Sequence, residues 1–132
     1  MANIRAAEAT SSGTNVTLTT TSETVVVTSP VLVLPADRVQ LYILAWGQLT
    51  TGTGTTTVTP RIRRGTTTGG TLIGEANAEQ VKAAAGSTEP FLIALVDNVT
   101  DLVSVQYVFT LQQAGATADG TFLQGSMLVL AF

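Results

Sequence analysis

From Thr14 onward, short apolar stretches alternate with threonine, serine and glycine, and along most of them the repeat is two residues. Val16, Leu18 and Thr20 fall on one side and Thr17 and Thr19 on the other, the pattern of a strand with one dry face. Residues 25–28 and 31–34 are short apolar runs, split by Ser29-Pro30 and closed by Pro35. Residues 38–49 form the longest run, followed by runs at 55–64, 71–74, 90–96, 103–113 and 121–132. Segments rich in Gly, Thr, Asp and Asn separate them at 50–53, 65–70, 97–101 and 116–120, and these read as turns. Strands at this spacing predict an all-β antiparallel sandwich or barrel of roughly eight or nine strands, with no long helix. An immunoglobulin-like sandwich and a jelly roll both fit the spacing, although the absent Cys…Trp…Cys arrangement counts against an antibody-type domain.

Two segments stand outside the pattern. Residues 1–13 are small and polar, an N-terminal arm or an early edge strand, leaving 14–132 as a single β-sandwich domain. Residues 75–86 contain good helix formers with Gly86 placed to cap a C-terminus, yet Glu75 and Glu79 would repel on one helical face. Helix and irregular strand both remain open there.

The faces of the strands differ from one another. In 103–112, Val103, Val105, Tyr107, Phe109 and Leu111 line one face, while Ser104, Gln106, Val108, Thr110 and Gln112 line a mostly polar one. In 39–49, by contrast, Val39, Leu41, Ile43 and Ala45 oppose Tyr42, Leu44 and Trp46. The last strand is also apolar on both sides, with Phe122, Leu128, Leu130 and Phe132 against Leu123, Met127, Val129 and Ala131. Burying each large apolar side chain is worth ~1.5–3 kcal/mol, so a second layer is expected over the outer faces. No amphipathic helix long enough to supply it is visible, and another copy of the chain is the expected cover. Pro60 cannot donate to a ladder, so 55–64 is expected to be an edge or to contain a bulge. Arg61 and Arg63 share one face of that strand, with Arg64 opposite; they are candidate contacts to a partner, or a charged edge that blocks unwanted pairing.

Composition narrows the chemistry. Charged residues are only 11% of the chain against 45% hydrophobic, so hydroxyls must cover much of the surface, as in subunits that bury faces on one another. A net charge of −3 with six basic residues argues against nucleic acid and against a polybasic membrane anchor. The first residues carry no apolar core of signal-peptide length, and no stretch reaches bilayer-spanning length, so folding in a cytoplasm without membrane contact is expected. Histidine and cysteine are absent, which removes Ser/His/Asp and Cys/His nucleophilic systems and the usual zinc ligands. The Gly-rich 65–70 segment lacks the Lys-Ser/Thr of a phosphate loop. Asp97, Asn98 and Asp101 are hard oxygen ligands in a cluster, but they lack the remainder of a calcium loop and read as turn residues. The two Asn-Val-Thr sequons at Asn15 and Asn98 read as chance matches in a threonine-rich chain. The expectation is a protein without catalytic residues, cofactor or metal.

The long strand Val39-Gln40-Leu41-Tyr42-Ile43-Leu44-Ala45-Trp46, the Thr-rich turns, the strand Gln106-Tyr107-Val108-Phe109-Thr110 and the terminal Gly125-Ser126-Met127-Leu128-Val129-Leu130 together give a pattern with known relatives. It resembles the small jelly-roll proteins that decorate tailed-bacteriophage virions and, more loosely, the trimeric jelly rolls of the tumour-necrosis-factor and C1q type. The resemblance implies a homotrimer seated on the exterior of a capsid, with the major capsid protein as its other partner. Tyr42, Leu44, Trp46, Met127 and Val129 are then placed at the threefold interface, or in the core if the faces are reversed. Residues 1–12 become a candidate strap onto the capsid or a neighbouring trimer. The alternative is the receptor- or glycan-binding head of a fibre or spike, against which stand the few aromatics, 5% of the chain.

Overall fold

A computed structural model of the chain describes residues 7–18, 22–34, 38–51, 55–76, 79–82, 88–114 and 120–131. The strands are β1 (Ala7–Thr17), β2 (Glu23–Thr28), β3 (Leu32–Val33), β4 (Arg38–Thr51), β5 (Thr55–Arg64), β6 (Thr71–Glu75), β7 (Glu79–Lys82), β8 (Thr88–Thr100), β9 (Ser104–Val105), β10 (Tyr107–Ala114) and β11 (Gly120–Ala131). One sheet has the order β1-β11-β4-β8, and the other β2-β10-β5-β6, with β7 also paired to β5. All of these pairs are antiparallel. β3 and β9 form a separate two-stranded ladder. Taking β6 and β7 as one interrupted strand and setting that ladder aside, eight strands remain, ordered 1-8-3-6 and 2-7-4-5. That order is a jelly roll, which settles the choice the spacing left open.

Alternation places the core between the sheets. Leu41, Ile43 and Ala45 of β4 and Met127 and Val129 of β11 face Ile62 of β5 and Tyr107, Phe109 and Leu111 of β10, all buried. Phe91, Phe109 and Phe122 meet as a tilted trio with ring centroids 5.8–6.4 Å apart. The Phe122 ring lies over a notch left by the paired Gly47 and Gly125, where a methyl group on Gly125 would come 2.6 Å from the ring and 2.2 Å from the Trp46 carbonyl oxygen.

Several sequence expectations are corrected here. Of the two readings of the first residues, arm or early edge strand, residues 7–13 take the second: β1 begins at Ala7 and ends its sheet, so the sandwich starts before residue 14; residues 1–6 lie outside the described residues. Pairing along β11 from Ala7↔Ala131 to Thr17↔Thr121 holds this strand in place without an apolar stripe of its own. Within 75–86, residues 79–82 are strand β7 rather than helix, and 77–78 and 83–87 lie outside the described residues. β5 is not an edge, since β10 flanks it on one side and β6 and β7 on the other. Pro60 sits where that second partner changes from β6 to β7, and its carbonyl accepts from the Ala76 amide at 3.1 Å. N–H and C=O of one strand residue point the same way, so the missing donor falls at the break between the two partners. The expected irregularity is present as a register shift between Ile62 and Arg63. β8 runs on to Thr100, through the polar residues that read as a turn.

Candidate interaction surface

The outer face of the β1-β11-β4-β8 sheet is built around β4. The register sets Tyr42 between Val96 and Leu130, Leu44 between Ala94 and Leu128, and Trp46 between Leu92 and Ser126. Tyr42, Leu44, Trp46, Leu92 and Val96 remain 45%, 37%, 44%, 58% and 44% exposed, an apolar area on the order of 500 Å². Side-chain amides close the strip at both ends. Gln40 donates to Asn98 Oδ1 at 3.3 Å and accepts from the Tyr42 hydroxyl at 3.1 Å, and Gln124 donates to Gln48 Oε1 at 3.1 Å. Between these pairs the outward positions of β4, β8 and β11 contain no Asp, Glu, Lys or Arg. Two depressions mark the face: one of about 500 Å³ between Tyr42, Leu44, Val96, Leu128 and Leu130, the other of about 540 Å³ beside Trp46, Gln48, Pro90 and Leu92. An apolar centre with polar side chains at its ends is an arrangement that subunit interfaces share.

Of the five residues assigned to an interface from sequence, Tyr42, Leu44 and Trp46 lie on this outer face. Met127 and Val129 do not; both are fully buried in the core. The register pairs them with the inward Ala45 and Ile43, and a bulge brings Phe122 to the same side. The register of β11 on β4 shifts between Phe122 and Gln124, so the extra residue reverses the phase of the alternation. Phe122 therefore shares the inner side with Met127 and Val129, and Leu128 and Leu130 turn outward.

The outer face of the other sheet is charged. Arg61 donates through Nε to Glu75 at 2.6 Å and through Nη1 to Gln112 at 2.6 Å, and Arg63 donates to Glu23 at 2.9 Å and to the Gly70 carbonyl at 3.0 Å. Thr110 also donates to Glu23, at 2.6 Å. Burial alone would raise the Glu23 pKa, but hydrogen bonds from Arg63 and Thr110 and the charges of Arg63 and Arg61 outweigh it and hold the carboxyl below its ordinary value. Arg61 and Arg63, the candidate partner contacts, thus spend these donors inside the chain, clamping β2, β6 and β10 to β5. Arg64 points the opposite way, as its position predicts. It donates to both carboxylate oxygens of Asp97 at 2.9 and 2.6 Å, and the Tyr107 hydroxyl donates to the same carboxylate at 2.6 Å. Desolvation, reinforced by the Asp97 hydrogen bond and charge, pushes Tyr107 far above the usual phenol range. The Asp97 hydrogen bond holds Arg64 above its ordinary value. Asp97 faces in while Asn98 faces out to Gln40, so the oxygen cluster imagined for a cation is divided between two faces. Among the described residues no three His, Cys, Asp or Glu side chains come together as a metal-binding group.

The architecture and its uncovered face define a jelly-roll sandwich with one outer surface laced by ion pairs and another that is apolar at its centre. No protein-family model matches the chain, and no curated protein matches it in sequence. Among solved structures, a chain in the structure of the infectious bursal disease virus Gx strain superposes with a TM-score of 0.52 over 93% of this chain, at 11% identity. The match takes in 31% of that longer chain, so the likeness is one of fold to a part of it.

Proposed function

We propose that this chain is a structural virion protein without enzymatic activity, which assembles as a homotrimer and decorates and stabilises the exterior of a bacteriophage capsid. The carrying observation is the apolar strip centred on Leu44, which lies uncovered on the outer face of the β1-β11-β4-β8 sheet. Its centre, from Tyr42 to Trp46 on β4 with Leu92 and Val96 on β8, holds no Asp, Glu, Lys or Arg, whereas the other outer face holds Arg61, Glu23 and Arg63. A jelly roll shared with part of a chain from a virus structure supports the virion role. The major capsid protein is the second partner in this reading. Native mass measurement should give three subunits. Undecorated, expanded capsids should bind the protein saturably and melt at a higher temperature; a monomer that leaves capsid melting unchanged overturns the proposal.

A second reading, a glycan- or receptor-binding head, gains from one observation. Trp46 and Tyr42 stand exposed, and Trp46 borders a depression beside Gln48, an aromatic platform next to an amide. Binding of the isolated protein on a glycan array, lost in Trp46→Ala, would favour it over capsid decoration.

A further inference from the structure

β8 ends its sheet. Along 13 residues it pairs with β4 on one side, and among the described residues no strand is hydrogen-bonded to its other side. Natural edges are blunted by charge, bulges or brevity. β8 is long and continuous in register, and its outward positions carry no charge: Pro90, Leu92, Ala94, Val96 and Asn98. Pro90, near one end, is the one residue that removes a donor, and proline is a residue of edge strands. β6 approaches β8 at the inward side chain Leu95, against Gly74, without forming a ladder with it among the described residues.

We infer that β8 pairs antiparallel with β8 of a second copy across a twofold axis at Ala94, extending the sheet from four strands to eight. Ala94 is the midpoint of Thr88–Thr100, so this register alone pairs the strand over its whole length. It sets Leu92 against the partner's Val96 on the outer face, twice, with the small Ala94 pair at the centre, an arrangement of cross-strand apolar contacts. On the inner face Glu89 meets the partner's Val99 and Asp97 meets the partner's Phe91, so no carboxylate faces another. Moving the axis to Leu95 would set Glu89 against the partner's Asp101. This edge contact is separate from the face-mediated trimer and would join copies belonging to different trimers.

The chain has no cysteine, so single introduced thiols report the register directly. Residues directly opposed in an antiparallel ladder lie about 4.5–5.5 Å apart at Cα, within disulfide reach. Under mild oxidation Ala94→Cys should form a linked dimer at least about tenfold faster than Leu92→Cys or Val96→Cys alone. A mixture of those two single variants should link one to the other. Absence of the Ala94→Cys dimer, or equal linking by Leu92→Cys alone, overturns the twofold contact. Native mass read in parallel separates the two proposals: trimers without the Ala94 link overturn the edge contact only, and the link without trimers overturns the trimer only.

Discussion

The Tyr107 hydroxyl donates to Asp97 Oδ2 at 2.6 Å, joining β10 of one sheet to β8 of the other through a carboxylate that Arg64 of β5 also holds. The Asp97 side chain is 7% exposed, so its charge is compensated by these neighbours and hardly by water. Asp97→Ala should cost about 3 kcal/mol, because it leaves both a guanidinium and a buried phenol without their acceptor. Tyr107→Phe removes one donor while Arg64 stays in place, and should cost about 1 kcal/mol. Urea unfolding curves of the two variants check the order. Equal losses would mean that the carboxylate is held by Arg64 no better than by water.

Tyr107 also fixes the alkaline behaviour. Its folded pKa lies above the unfolded value near 10, so the stability it contributes is complete below pH 10 and is lost as rising pH ionises the unfolded chain. In a Tyr42→Phe background, tyrosinate absorbance should appear together with loss of native circular dichroism, not before it. Absorbance at pH 10 from a folded protein would contradict the buried hydrogen bond.

Glu23 acts at the other end of the pH scale. Its folded pKa lies below the ordinary value of 4.5, so its contribution is present above about pH 4.5 and disappears as pH falls through the lowered value. Glu23→Gln should therefore lower Tm at pH 7 by a few degrees, with the gap to wild type closing in acid. A gap of constant size down to pH 3 would assign the effect to packing.

The two sides of the doubly apolar strands separate cleanly by substitution. Trp46→Asp changes an outward side chain and should yield a folded monomer. Met127→Asp sets a carboxylate in a fully buried site and should fail to fold, a loss above about 4 kcal/mol. Size-exclusion chromatography with circular dichroism distinguishes these results. A trimer of Trp46→Asp would remove this face from the interface.

Much of the fold was legible because β4 runs unbroken from Val39 to Trp46, so its two faces separate by counting, although both are apolar and the count alone left open which of them is the core. The same counting fails on β11, where one extra residue between Phe122 and Gln124 reverses the phase without altering the apolar content. The first half of β1 was legible only as one of two alternatives, for a different reason. Its small residues show no stripe, and it is a strand because β11 offers it a ladder. The ion pairs were out of reach as well, since Glu23 lies far along the chain from Arg61 and Arg63, and only the β2-β10-β5 order brings them together. The exposed Trp46 was legible as part of a second apolar face, although the scarcity of aromatics had argued against exposed ones.

The place of β11 between β1 and β4 has a kinetic side. Among the described strands, the one synthesised last is the one that both of these need as a neighbour. Until β11 is made, β1 has no ladder and β4 has one on a single side, and the contacts that complete the sheet are long-range ones. Assembly of this sheet, and of anything built upon it, waits on one late insertion.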